Sequence, residues 1–315
     1  MRRLEDFKRY LRLARVLELE KIGDTTGCLS GDFLMDNVRV YDVTDRRYAG
    51  INDMLQDLWF ADHPVHNKKC YVRGDEERCK SYRDLHKRWS DREWLYIFLF
   101  HRITGSAASY VEDHGYRNTL LPELALCKTV GEMCRVIQDY PKAFFSSIGC
   151  QIPGFPKLPP GCPYKKQSEL YLIHHLPQLV DRLLYWLGGE KKTHREVIDF
   201  CNKYNQDCGF NRFWFQYSLF ACDLSDYYPQ WVDEDSHVHY GTNSVKALKL
   251  MGKKRDWDKI VEGIIIDLPE LDLKPKGIEN ALCDYYKYIQ SWIPKGYPLD
   301  PEIEEQIKGG KDEDN

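Results

Sequence analysis

The stretch from Phe213 to Met251 reads FWFQYSLFACDLSDYYPQWVDEDSHVHYGTNSVKALKLM, and its pattern indicates the fold class. It opens with an apolar run of helical character, and an acid-rich turn follows at Asp233, Glu234 and Asp235. A tight bend then leads into a second segment with helical spacing. This order predicts a helix, a hairpin and a helix, which is typical of a mainly α protein.

The bend between the two helical segments is a candidate phosphate-binding site. Gly241 and Asn243 are residue types that enter left-handed backbone conformations at low cost, and Ser244 is suited to cap a helix that begins at Val245. The free backbone amides of a helix start bind phosphate oxygens. The alternative is a plain capped turn between two core helices. The candidate DNA-binding residues at this bend are Tyr240, Gly241, Asn243, Ser244 and Lys246.

Composition sets limits on the class of protein. Hydrophobic residues make up 43% of the 315-residue chain, so it can bury a large core. The formal net charge of -4 argues against a strongly basic nucleic-acid binder, so any DNA site must be a local basic patch. The charged start MRRLEDFKRY and the short apolar run 95–100 predict neither a signal peptide nor a membrane span. We therefore expect a cytoplasmic protein with no membrane partner.

A polar stretch holds five side chains of the types that zinc prefers, His63, His66, Cys70, Cys79 and His86. Their spacing matches no familiar ligand pattern, so surface histidines and buried thiols are the favoured interpretation and zinc is the alternative. The same region is the most basic of the chain, which indicates either a solvated face or a phosphate-backbone contact. We predict no metal in the catalytic site.

The apolar segment that begins at Arg92 predicts a buried helix ending near Arg102. Small and polar side chains follow it closely, and burying them is costly unless they are paired or bind a ligand. A phosphate or polar base edge is one possible ligand, and a capping loop with satisfied hydrogen bonds is the alternative. The candidate substrate-binding or catalytic residues of this segment are Arg102, Thr104, Ser106, His114 and Asn118.

Two further segments supply candidates. After a predicted helix that ends at Gly149, Gln151 has a side chain that can read a base edge and Lys157 can meet a phosphate. The last predicted helix, residues 277–292, carries Asp284 and Lys287 three residues apart. An acid and an amine there are either catalytic or an ordinary exposed salt bridge.

The common cofactor signatures are missing. The sequence has no GxxxxGK[ST] phosphate loop, no GxGxxG after a strand, no GxSxG elbow and no HExxH pair. Any chemistry must therefore use the bound substrate and dispersed polar residues, and we predict no cofactor.

Four phrases taken in order resemble one family. They are FHRITGSAASY with HGYRNT, then SSIGCQIPGFPK, then FACDLSDYYPQWVDEDSHVHYGTNSVKAL, and last ENALCDYYKY. Together they resemble the alpha-glutamyl/putrescinyl thymine pyrophosphorylases, bacteriophage enzymes also described as amino acid:DNA transferases and related to the helical domain of hydroxymethyluracil DNA kinases. The resemblance covers residues 94–292 and leaves out the first ninety residues.

The resemblance implies a fold and a reaction. The fold is mainly α, a helix-hairpin-helix domain like that of DNA glycosylases, in residues 91–300, with a small mixed extension in 1–90 and an acidic tail in 301–315. The substrate is double-stranded DNA in which 5-hydroxymethyluracil is pyrophosphorylated on its methyl oxygen. A free amino acid or polyamine displaces the pyrophosphate, and such a base must leave the stack to react.

Roles follow from that chemistry, because cationic groups must stabilise the leaving pyrophosphate and a base must keep the amine neutral. We expect Arg102, Ser106, His114 and Asn118 to hold the pyrophosphate or the base, and Asp223, Asp284 and Lys287 to handle the amine and its protons. Two alternatives stay open. A glycosylase would cut the base from its sugar, and a DNA-binding accessory protein would bind without turnover.

Overall fold

The computed structural model describes residues 2–21, 89–104, 124, 126–139, 160, 169–287 and 289. Within these ranges, the side chains of residues 2, 13–21, 104 and 287 are not described. Helices make up 76% of the described residues, and none of these residues lies in a strand. The predicted mainly α class is therefore confirmed.

The chain divides into two compact units. Unit 1 combines Met1–Ala49 with Glu234–Asn315, and unit 2 is Gly50–Asp233. The predicted helical domain of 91–300 thus contains parts of both units. The predicted extents 1–90, 91–300 and 301–315 stay predictions, since most residues around their ends lie outside the described ranges.

Nine α-helices and two short 3₁₀ turns, Lys254–Asp256 and Pro269–Leu271, occur among the described residues. Unit 1 contains α1 (Arg2–Lys21), α7 (Thr242–Met251), α8 (Trp257–Asp267) and α9 (Pro275–Lys287). Unit 2 contains α2 (Asp91–Thr104), α3 (Val130–Asp139), α4 (Leu176–Leu187), α5 (His194–Asp207) and α6 (Trp214–Tyr227). A short π-helical segment, Leu170–His175, runs directly into α4.

Helix α2 is the centre of unit 2, where α4 and α6 pack against it. Every residue from Trp94 to Phe100 is buried, and a helix that is apolar on all sides is stable only inside a core. Its first turn is acidic, and its last turn carries His101 and Arg102. This order complements the helix dipole and brings an arginine to the end of a buried helix.

A short capped turn joins α4 to α5. Helix α4 ends at Leu187 before Gly188, and Thr193 caps α5 through a reciprocal pair of hydrogen bonds with Glu196. Between the two helices, Lys192 forms a parallel bridge with Val232. The Lys192 amide donates to the Trp231 carbonyl at 2.8 Å, which ties the end of unit 2 to this turn.

Unit 1 has a separate core built from both ends of the chain. Phe7 and Tyr10 of α1 lie 5.1 and 5.4 Å from the ring of Tyr285 in α9, and Leu11 is also fully buried. Helices α7 and α9 pack closely against each other. The first helix is therefore part of this core.

The acidic turn spans the junction of the units, and each acid pairs within its own unit. Asp233 lies 3.8 Å from Lys191 in unit 2. Lys274 of unit 1 lies 3.4 Å from Glu234 and 2.7 Å from Asp235. Among the described residues, no helix is both long enough and apolar enough to cross a membrane.

Candidate active site

A buried ion pair joins two of the predicted site residues in unit 2. Arg102 lies in the last turn of α2 and Asp223 in the middle of α6. The Arg102 Nε atom donates to Asp223 Oδ2 at 2.6 Å, and Nη2 donates to Oδ1. The two side chains are only 1% and 4% exposed. A planar guanidinium and a carboxylate in this two-point arrangement form one of the strongest hydrogen-bonded pairs in proteins.

The third nitrogen of the Arg102 guanidinium takes no part in the bonds to Asp223. Its Nη1 atom is buried, and it has no hydrogen-bond partner among the described residues. Leaving such a donor unpaired costs about 1–3 kcal/mol, more for a charged group. A fixed cationic donor of this kind is suited to an oxygen of an anionic ligand. Residues 105–123, which contain several predicted site residues, follow directly in the chain.

The geometry changes the role that suits Asp223. Both of its carboxylate oxygens accept hydrogen bonds from Arg102. Two charge-assisted hydrogen bonds fix this carboxylate against the guanidinium. Asp223 is therefore better placed to orient the Arg102 guanidinium than to act as the base that sequence reasoning assigned to it.

A second buried polar pair in unit 2 was missed by sequence reasoning. His194 Nε2 lies 3.0 Å from Ser225 Oγ, and both side chains are buried. Ser225 donates its own proton to the Cys222 carbonyl at 2.8 Å. The histidine must then donate to the serine, so this serine is not activated as a nucleophile. A pair that joins the start of α5 to α6 has no signal in the local sequence.

Two further proton-handling candidates lie in unit 1. Asp284 is buried in α9, and Lys287 is the last residue of the same helix, with its side chain outside the described atoms. The structure thus brings Arg102 and Asp223 together in one unit, and it places Asp284 and Lys287 in the other.

The predicted bend at the start of α7 has a different conformation from the expected one. The helix begins at Thr242, with Gly241 at its N-cap and a φ of -71°. Positive φ angles occur among the described residues only at Asp272 and Gly209. Ser244 is therefore inside the first turn, and the predictions that it caps the helix and that the bend is left-handed are wrong.

An internal carboxylate occupies the position where the sequence predicted a phosphate. The Gly241 amide donates to Glu279 Oε1 at 3.0 Å, and Ser244 Oγ donates to the same oxygen at 2.8 Å. Ser244 also lies 2.9 Å from the Glu279 carbonyl. The negative charge that favours a helix start is thus supplied by α9, and the Gly241 amide is not free to bind DNA.

The other residues around the bend also have protein partners. Tyr240 donates to Asp258 at 2.8 Å, next to His237, which lies 3.1 Å from Glu262. Asn243 Nδ2 lies 3.7 Å from Cys283 Sγ. Lys246 is exposed, with its ammonium 5.3 Å from the centre of the Tyr286 ring. Lys246 is the one residue of this predicted group whose charge directly suits a DNA phosphate.

Several predictions lie outside the described residues or side chains. They concern Thr104, whose side chain is not described, and the residues Ser106, His114, Asn118, Gln151, Lys157, His63, His66, Cys70, Cys79 and His86. Within the described part of the chain, no group of three or more His, Cys, Asp or Glu side chains is placed to hold a metal ion.

Comparison of the chain with protein-family models, with curated proteins and with solved structures finds no match.

Proposed function

We propose that this protein transfers an amine onto DNA. The substrate is double-stranded DNA with a pyrophosphorylated 5-hydroxymethyluracil, and the donor is a free amino acid or polyamine. The amine nitrogen forms a bond to the methyl carbon, the bond from that carbon to oxygen breaks, and pyrophosphate leaves with the electron pair. The nitrogen then loses a proton.

One observation carries this proposal. Arg102 lies in the phrase FHRITGSAASY and Asp223 in FACDLSDYYPQ, two of the phrases that resemble the amino acid:DNA transferases. Although 121 residues separate them in sequence, they form the buried pair of unit 2. Such a meeting is expected if the two phrases contribute to one site.

The Arg102–Asp223 pair suits a reaction in which pyrophosphate leaves. When pyrophosphate leaves, negative charge builds up on the oxygen that was bonded to the methyl carbon. A fixed cationic donor in a site without water stabilises such charge strongly. In the proposal, Asp223 holds the guanidinium in place and Nη1 donates to the pyrophosphate. Proton transfer from the amine is assigned to His114, and the remaining polar candidates of the phrases around Arg102 hold the base and the phosphates.

The proposal includes the finer fold, a helix-hairpin-helix domain similar to DNA glycosylases. Its support is the order of α6, a non-helical linker and α7, in the stretch that predicted this arrangement. Because Glu279 occupies the start of α7, the proposal gives the DNA-phosphate contact to Lys246 instead of the Gly241 amide.

The test is nucleoside mass spectrometry of DNA that carries the pyrophosphorylated base, digested after incubation with the protein and a mixture of amino acids and polyamines. We expect a mass gain that corresponds to one amine, with loss of pyrophosphate. An unchanged base would reject the transferase and favour a binding role, and a missing base would identify a glycosylase.

A matched pair of variants tests the role of Arg102. Arg102→Lys keeps the positive charge beside Asp223 but loses the free guanidinium nitrogen, so we expect product formation to fall by roughly 100-fold or more. Arg135→Lys, at an exposed position of α3, is the control and should leave the yield unchanged. Normal yield from a folded Arg102→Lys protein would remove this residue from the site.

A further inference from the structure

Unit 2 contains a groove that shares no residue with the Arg102–Asp223 pair. It lies between α4 and α5 and has a volume of about 550 Å³, a size that accepts a small ligand or one unit of a polymer. Its aromatic wall consists of Tyr185, Trp186, Phe200 and Tyr204. Four large rings in one groove provide an extensive surface for a flat ligand.

The rings differ in their exposure, and one of them faces solvent. Tyr185 is 90% exposed, although it is a large side chain in the last turn of α4. Trp186 and Phe200 stack on each other with their centres 4.5 Å apart, and the Lys192 ammonium lies 4.9 Å from the Trp186 ring. The stack forms a rigid floor, and Tyr185 is the ring that remains open to a ligand.

The charges of the groove favour an anion. Arg92 binds the Asp181 carboxylate at 2.5 and 3.0 Å, and Lys203 lies 3.2 Å from Asp207. Both acids of the groove are therefore neutralised. Arg182 lies with its guanidinium carbon 5.2 Å from the centre of the Tyr204 ring, and it forms no salt bridge among the described residues.

We propose that this groove binds a nucleotide, with the base stacked on Tyr185 and the phosphate bound by Arg182. Aromatic rings beside cations are the combination by which proteins hold single-stranded nucleic acid. A polyamine would be repelled by Arg182, and an anion without a ring would leave the aromatic wall uncovered. The proposal goes beyond the transferase reaction, because it concerns a separate surface and ordinary, unmodified nucleotides.

The nucleotide has two possible sources, a free mononucleotide or a unit of single-stranded DNA. We would titrate the full chain with thymidine monophosphate and with a thymidine dodecanucleotide at fixed salt, and follow tryptophan fluorescence. Saturable binding of either probe is expected, and the tighter one identifies the source. Absence of binding by both probes overturns the proposal, whatever the transferase assay shows.

Variants link the binding to the groove. We expect Tyr185→Ser to weaken binding by about 5- to 150-fold, the usual contribution of one stacked base, and Tyr185→Phe to bind like the original protein. Because Tyr185 is so exposed, neither change threatens folding. Equal binding by the serine and phenylalanine variants would overturn the stacking role.

The charge needs its own control. Arg212 is also exposed and lies 5.3 Å from the centre of the Trp214 ring, outside the groove. We expect Arg182→Gln to weaken binding and to lower the slope of affinity against salt by about one counterion, while Arg212→Gln has little effect. An equal loss in both variants would mean that the probes respond only to overall charge, and it would reject the site.

Discussion

At the scale of single residues, the pair of Arg102 and Asp223 makes a prediction about stability. Asp223→Ala or Arg102→Ala leaves one buried charge without its partner, and each should lower the free energy of unfolding by about 3–5 kcal/mol. Because the two side chains are only 1% and 4% exposed, water cannot replace the lost partner. Denaturant unfolding measures the loss.

A double variant tests whether Arg102 and Asp223 stabilise the protein as a coupled pair. Arg102→Met combined with Asp223→Leu removes both charges and fills the space with apolar groups, so most of the lost stability should return. If the double variant were as unstable as the sum of the single ones, the pair would not be a coupled unit.

His175 gives a prediction about pH. Desolvation first, and the neighbouring His174 second, lower the pKa of His175 from 6.5 to about 4. Since the unfolded chain then binds more protons between these values, this residue contributes stability above pH 6.5 that is lost as the pH falls towards 4. The free energy of unfolding should decrease less between pH 7 and pH 5 in His175→Gln than in the original protein.

The neighbouring histidine provides the control for that measurement. His174 is exposed, and its charge is the smaller cause of the shift. His174→Gln should therefore keep most of the pH dependence. A His175→Gln protein with an unchanged pH profile would show that other groups control acid unfolding in this range.

At the scale of elements, we predict that the hydrogen bonds from Gly241 and Ser244 at the start of α7 to Glu279 of α9 stabilise the protein. Glu279→Ala removes the acceptor of the Gly241 amide and the Ser244 hydroxyl, and we expect a loss of about 1–3 kcal/mol in the free energy of unfolding. Glu279→Gln keeps an oxygen at this position and should cost less. Glu190→Ala, at an exposed position, is the surface control and should change little.

Helix boundaries in this protein were largely predictable, and their contacts were not. Apolar spacing predicted a helix ending near Arg102, and α2 ends at Thr104. The last helix was predicted to begin at residue 277, and α9 begins at Pro275. The conformation at Gly241 was predicted wrongly because its partner Glu279 is 38 residues away. Local preference for left-handed backbone was overridden by a tertiary hydrogen bond.

For the candidate site too, the sequence predicted the residues but not the contacts between them. Arg102 and Asp223 were each identified by residue type and by the phrases around them. Their pairing spans 121 residues, so no local pattern contained it, and the role of Asp223 changed once its oxygens were seen to be occupied. Residues that meet through folding need the structure before roles can be assigned.

At the scale of the whole molecule, the two units have distinct hydrophobic cores. Phe7 is fully buried in the core of unit 1, and Phe98 is fully buried in that of unit 2. Phe7→Ala should lower the stability of unit 1 by about 3–5 kcal/mol. Hydrogen exchange should then increase in α7 and α9 but not in α5 and α6, because each core loses contacts of its own.

Phe98→Ala is the matched change in the other core. It should increase exchange in α5 and α6 and leave α7 and α9 protected. If either variant increased exchange equally in both units, the two cores would unfold as one cooperative body and the division would have no energetic meaning.

The position of α1 in unit 1 has a consequence for the order of synthesis. This helix leaves the ribosome before the rest of its unit, because α7 and α9, against which Phe7 and Tyr10 pack, come more than 200 residues later. At translation rates of about 5–20 residues per second, α1 waits roughly 10 to 45 seconds for its partners. During that time unit 2 can complete its own core, while the apolar face of the first helix is a natural ligand for a cellular chaperone.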